Sequence, residues 1–212
     1  MNSRHIFLSA LASLLVLVST SAFAQTFEVT AHLGGQINGG LDLSTTQFDR
    51  IEVKNALNYG ATVGALLGEH YGVEFQWNRT SADTLAQPLL GGPDTRIFNL
   101  SQNQYMGNFV YHFTGREMPL RPFAYFGMGA SDLSPGRGVD GTTQFAVAVG
   151  AGAKYNFSKH FGLRGQVKWS PTYITTTDAG YWCDPFWGGC WVVGNDKYFH
   201  EFDMTGGITF RF

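Results

Sequence analysis

Seven stretches of the chain switch between apolar and polar side chains at every residue, and this period of two limits the fold more than any other feature. In the first, Phe27, Val29, Ala31, Leu33 and Ile37 alternate with Glu28, Thr30, His32 and Gln36. The pattern returns at 57–67, 71–78, 105–113, 144–157, 161–169 and 202–212. Successive side chains of a strand point to opposite faces, whereas a helix repeats about every 3.6 residues, so these are strands with two unlike faces. An eighth segment, 121–131 (RPFAYFGMGAS), also reads as a strand. Aromatics stand in both of its registers, and its facing stays open.

One face carries Glu28, Glu74 and Asp203 against Lys154, Arg164, Lys168 and Arg211, together with His32 and His112. The other is apolar, and its rings gather at strand ends. Phe27, Tyr71, Phe113, Phe157, Phe161 and Phe212 mark the ends joined by short links; Tyr59, Trp77, Tyr105, Phe145, Trp169 and Phe202 mark the opposite ends. A soluble lipocalin-like barrel, with its apolar side chains inside, has the same period but no reason to sort rings into two sets. Two membrane interfaces do, because amphipathic rings favour the headgroup level. Rings eight to ten residues apart, at ~3.3 Å per residue and a tilt near ~40°, span about 20–25 Å, close to the height of a barrel's apolar band. A Lys or Arg at the lipid midplane costs about 2–4 kcal/mol, while inside a narrow barrel acids and bases pair. The apolar face therefore points to lipid and the charges to the lumen. Side chains just fill an eight-stranded interior, so the lumen is expected to be a polar plug with trapped water.

The links fix the topology. Those at 68–70, 114–120 and 158–160 are short; those at 38–56, 80–102, 132–142 and 172–199 are longer, and the two kinds alternate in strict order. Tight periplasmic turns and long outer loops are the outer-membrane arrangement, and an even strand number puts both mature termini on the periplasmic side. The expected fold is an all-β, antiparallel up-and-down transmembrane barrel of eight strands.

Residues 1–24 read as a cleaved secretory signal: Arg4 precedes an apolar run from Ile6 to Val18, and Ala22-Phe23-Ala24 is a small-x-small cleavage site. That run is too short for a membrane-spanning helix. No Cys follows the site, so no lipoprotein anchor is expected. The mature chain, 25–212, is one domain. Charged residues make up only 14% of the sequence, against a usual value near ~25%, which a soluble surface does not tolerate and a lipid-facing one does. With Arg4 removed, 13 Lys and Arg stand against 16 Asp and Glu, a balance that argues against nucleic-acid binding. Cys183 and Cys190 are expected to form a disulfide in the oxidising periplasm. A metal site there would lack ligands beyond Asp184.

On these residues the chain resembles the small eight-stranded outer-membrane barrels, the OmpA transmembrane domain and the OmpX and OmpW proteins, over the whole mature length. The strongest element is the final strand, Ile208-Thr209-Phe210-Arg211-Phe212. Pro122-Phe123-Ala124-Tyr125-Phe126-Gly127-Met128-Gly129 and Gly150-Ala151-Gly152-Ala153-Lys154-Tyr155 also look like the family's Gly-and-aromatic strands. The resemblance implies that Phe210 and Phe212 carry the signal read by the outer-membrane assembly machinery. It does not imply cell-wall anchoring, because the sequence departs from OmpA by ending at the barrel.

No catalytic constellation stands out. Lipid-modifying barrels of this membrane use a Ser, a His and an acid on the lipid-facing surface, often with His and Ser two residues apart, and no His-x-Ser occurs. His70 and His160 fall in tight turns and are expected to be solvated. His32 and His112 belong to the lumen network rather than acting as general bases. No cofactor or metal site is expected. A pair such as Glu74 with Arg164 or Lys168 either exchanges partners to gate a small conductance or, the favoured reading, neutralises statically. The last outer loop holds Trp182, Phe186, Trp187 and Trp191, which form either a surface for an extracellular ligand or lipopolysaccharide, or a self-packed cap on the barrel mouth. The expected role is structural or surface-interacting in the outer membrane, with outer-membrane lipid as partner. A narrow solute channel is the second reading and a lipid-modifying enzyme the third.

Overall fold

In a computed structural model the described residues are 26–38, 40–42, 48–88, 95–135, 141–173, 182–183, 190–191 and 198–212. The signal segment and the loop rings Phe186 and Trp187 lie outside them. Among the described residues twelve strands follow in order: β1 (Thr26–Asn38), β2 (Gly40–Asp42), β3 (Phe48–Val53), β4 (Ala56–Leu67), β5 (Tyr71–Pro88), β6 (Thr95–His112), β7 (Leu120–Pro135), β8 (Thr142–Asn156), β9 (Phe161–Tyr173), β10 (Trp182–Cys183), β11 (Cys190–Trp191) and β12 (Tyr198–Arg211).

Eight of them close a ring of antiparallel neighbours in the order β5, β4, β1, β12, β9, β8, β7, β6 and back to β5. Closure is completed by β1 on β12, where Glu28 stands opposite Arg211 and Ile37 opposite Phe202. A ring has no free edge, so every inter-strand backbone group can be satisfied away from water, which a lipid-facing sheet requires. The first described residues and the last share the short-link end, where the Phe212 amide donates to the Phe27 carbonyl at 2.9 Å.

The turn after β4 contains Gly68, whose φ of +79° is a left-handed conformation that side chains disfavour. The turn histidines are at least partly in solvent, His160 exposed and His70 half-buried, and each also tethers its turn. His70 Nδ1 donates to the His112 carbonyl at 2.8 Å and His160 Nδ1 to that of Arg211 at 3.0 Å, each joining a turn to a neighbouring strand.

At the opposite end the ladders run further than the apolar alternation. β5 and β6 stay paired from Tyr71 opposite Tyr111 up to Ala86 opposite Thr95, so most of the expected 80–102 loop is paired strand. β3 adds to the top of β5 and β2 to β3, inside the expected 38–56 loop. Side chains that rise above an apolar band need not be apolar on one face, so the sequence signal stops while backbone pairing continues. β10 and β11 form a separate two-stranded hairpin in the last long link, with Cys183 opposite Cys190 and Trp182 opposite Trp191.

The open register of β7 is settled by its neighbours. Arg121, Phe123, Tyr125, Gly127 and Ser131 face the lumen, and Leu120, Phe126 and Met128 face out. The two inward rings need space across the sheet. A Cβ on Gly152 would stand 2.7 Å from Phe123 Cζ, so a glycine there leaves room for the ring.

Candidate functional site

The interior wall is a layered array of polar side chains, one layer per inward position. In the layer nearest the short turns, Lys154 on β8 donates to Glu28 on β1 at 2.5 Å and to Glu74 on β5 at 3.0 Å. Arg164 on β9 grips both oxygens of Glu74 at 2.9 and 2.8 Å, and Arg211 on β12 donates to Glu28 through two nitrogens at 3.0 and 2.8 Å. The forked guanidinium against a carboxylate is the strongest geometry such pairs adopt. All these groups except Arg211 are almost wholly buried. Phe123 packs beside both cations, with Arg164 Cζ 4.6 Å and Lys154 Nζ 5.5 Å from its centroid, where the ring face attracts positive charge.

Two inward positions up, beyond the buried Thr30, Gln76 and Gln166, His32 Nε2 donates to Asn78 Oδ1 at 2.6 Å. Lys168 pairs with Asp203 at 2.8 Å and donates to Gln104 Oε1, while Asn58 donates to Asp203. Higher still, Glu201 accepts from Gln36 at 2.8 Å, Thr172 at 3.3 Å and Gln104 at 3.4 Å.

Ring order turns these bonds into a statement about the lumen. β5 and β9 are four strands apart by either path, and so are β6 and β12. Arg164–Glu74 and Gln104–Glu201 therefore cross the full barrel at two heights. A lumen crossed twice by hydrogen-bonded side chains is partitioned along its length.

Every lumen residue read from the alternation, Glu28, His32, Glu74, His112, Lys154, Arg164, Lys168, Asp203 and Arg211, faces inward, and all but Arg211 are buried. The expected pairing of Glu74 falls on Arg164, not on Lys168. The interior is less uniformly polar than expected: Met106, Val110, Phe123, Tyr125, Ala146 and Ala148 give β6–β8 an apolar inner wall. His112 lies within it, its ring 5.9 Å from that of Phe123.

Two charged lumen residues were missed from sequence. Glu201 shares the parity of Asp203, and the lipid-facing Phe202 between them was the signal. Glu201 stands between the expected 172–199 loop and the start of the alternation at Phe202, where the period of two is shortest. Arg121 shares the parity of Phe123 and Tyr125, and with aromatics in both registers of this segment its facing stays open from sequence.

Outside, the wall is apolar throughout the ring-bounded zone. Val63, Val73, Phe75, Leu163, Val167, Met204 and Ile208 are exposed, Met204 by 73%. Phe27, Tyr71, Phe113, Phe157, Phe161 and Phe212 project from the same surface at the short-turn end. Tyr59, Tyr105, Phe145, Trp169 and Phe202 do so at the other, where the half-buried Trp77 packs edge-on against Tyr59 at 6.2 Å. Phe210 and Phe212 are in edge-to-face contact at 4.7 Å. A closed cylinder with rings and aliphatic side chains outside and ion pairs inside inverts the arrangement of a water-soluble barrel.

Such a cylinder defines the class: a closed eight-stranded antiparallel barrel of the outer-membrane type. The chain belongs to the family described as outer membrane protein beta-barrel domain, whose model matches residues 10–184. No curated protein matches it. Among solved structures it is similar to the outer membrane protein OprG of Pseudomonas aeruginosa, at 12% identity over 89% of this chain and 96% of that one, with a TM-score of 0.60. It is similar also to a major outer membrane protein of Thermus thermophilus, at 16% identity over 90% and 100% of the two chains, TM-score 0.56. The outer membrane protein AlkL, solved in DMPC lipid bilayers, gives 15% identity over 92% and 93%, TM-score 0.55. At these identities the likeness is one of fold.

Proposed function

We propose that the mature chain, 25–212 after loss of its signal peptide, is a plugged structural and surface-interaction barrel of the outer membrane rather than a pore or an enzyme. The observation that carries this reading is the pair of hydrogen-bonded crossings, Arg164–Glu74 and Gln104–Glu201, which divide the lumen at two heights. Recognition then belongs to the long-link end, and both termini to the periplasm. The β10–β11 hairpin supports this assignment. Cys183 and Cys190 are cross-strand neighbours, and opposed residues of an antiparallel pair have Cα atoms about 4.5–5.5 Å apart, a spacing that suits a disulfide. Pinned in this way, the tip would present Trp182, Phe186, Trp187 and Trp191 to an extracellular ligand or to lipopolysaccharide. Phe210 and Phe212, exposed on the last strand, would be read by the assembly machinery.

Planar-bilayer recording of the purified barrel tests the plug. Silence at all voltages is expected; steady conductance in the wild type would replace this reading with a narrow solute channel. Whole-cell adhesion or glycan-array binding tests the loop, and binding that survives the combined Trp182→Ala and Trp187→Ala change would remove the tip from recognition. Mass spectra of lipid A that change with expression would favour an enzyme.

A further inference from the structure

The layer nearest the short turns holds more positive than negative charge. Four cations, Arg121, Lys154, Arg164 and Arg211, meet two carboxylates, Glu28 and Glu74, among the described residues. Both carboxylates are fully engaged. Glu28 gives one oxygen to Lys154 and the other to Arg211, while Glu74 is held by Arg164 and Lys154. No carboxylate among the described residues hydrogen-bonds Arg121, and Glu28, whose charge it feels, is already shared by Lys154 and Arg211. The Arg121 side chain has 0% exposure, and its one protein hydrogen bond runs from Nη2 to the Glu69 carbonyl at 3.0 Å. The Glu69 carboxylate does not serve it, since the residue is exposed and its Oε2 lies toward Gly115 of the next turn.

Two guanidinium nitrogens, Nε and Nη1 of Arg121, find no protein acceptor, and neither ring nitrogen of His112 finds a partner. His112 is also 0% exposed. The two belong to one inward patch. His112 is opposite Phe123 across β6–β7, and Arg121 is the diagonal neighbour two positions along the same face, roughly 7–8 Å away and within reach of a long side chain. Arg121 is in turn directly opposite Lys154 across β7–β8. Like charges set face to face are destabilising, and a buried cation without a counter-charge costs more than an imperfect pair.

We propose that Arg121 and His112 bind a small inorganic anion at the short-turn end of the lumen, with Phe123 beside it. The guanidinium supplies one free N–H group, the imidazole another, and Lys154 adds field from across the ladder. The anion must be small, of the size of chloride, because an eight-stranded interior leaves room for little beyond its own side chains. Its role is structural: it completes the charge balance of this layer whatever the outer loops bind.

Chloride is the probe. The refolded barrel is unfolded by heat in a chloride series in which gluconate, too large to enter, keeps ionic strength constant, and folded protein is read by gel mobility. Wild type is expected to gain roughly 3–6 °C once chloride exceeds its dissociation constant tenfold. Lys159→Gln, in an exposed turn, keeps this dependence. Arg121→Met loses it, and because the uncompensated cation is gone, that variant is at least as stable as wild type without chloride. Wild-type crystals grown in bromide give a direct readout that requires no variant, an anomalous peak within hydrogen-bonding distance of Arg121. A wild-type midpoint indifferent to chloride, a dependence that persists in Arg121→Met, or a bromide map blank at this position would overturn the proposal.

Discussion

Replacing Glu74 by alanine removes the carboxylate that joins opposite walls of the barrel, leaving Arg164 and Lys154 buried with one partner fewer each. Arg164 would keep only its 2.8 Å bond to Gln166 and the Phe123 ring. Lys154 would keep Glu28, itself shared with Arg211. Breaking a buried pair from one side costs about 3–5 kcal/mol, mostly the penalty of the stranded charge, against about 0.2–1 kcal/mol for an exposed pair. For a chain of this size each kcal/mol is worth about 2–4 °C, so the midpoint should fall by roughly 6–20 °C. The assay is the fraction of compact barrel against temperature in vesicles, repeated for Glu74→Ala, Arg164→Leu and the double variant. Because the second substitution removes one charge stranded by the first, the double variant should lose less than the sum of the singles. A loss under about 1 kcal/mol for Glu74→Ala, or strictly additive losses, would mean that the crossing is solvated and does not brace the barrel.

Other substitutions test other parts of the arrangement. Val63→Arg, midway between the ring sets on an exposed face of β4, should cost about 2–4 kcal/mol in urea unfolding from vesicles; a neutral result would place that face in water. Gly152→Val sets a side chain against Phe123 and the Gly165 carbonyl, and should reduce the yield of folded barrel in vesicles far more than Gly35→Val, where nothing stands within 4 Å. Deleting Phe212 removes its ring contact with Phe210 and should slow assembly into the outer membrane in cells while leaving detergent refolding near normal; equal loss in both settings would argue for a stability role only. Cys183→Ser and Cys190→Ser should each abolish a reduction-dependent shift in non-reducing gel mobility; no shift in wild type would exclude the disulfide.

The strands and their facing were legible because lipid and lumen make opposite demands on successive residues, and a period of two records that demand directly. Glu28, Glu74, Lys154 and Arg164 could be placed inside from their parity with neighbouring rings alone. Legibility failed where one demand lapsed. Above the apolar band β5 and β6 continue as paired polar strand, and no lipid-facing pattern betrays it. In β7 the inner wall is itself apolar, so Phe123 and Tyr125 looked as much like lipid anchors as Phe126 did.

By itself the sequence determined an inside-out barrel of eight strands, its sorted rings and most of the charges that line it, because each is a local consequence of which solvent a side chain meets. Closure decided the rest: that Glu74 takes Arg164 across the diameter and not Lys168, that Glu201 crosses to Gln104 at a level away from the charged layer, and that Arg121 is left without a carboxylate. Those facts depend on which strands end up facing each other across a ring. Residues 90 and 97 positions apart in the chain meet only when the last strand pairs with the first.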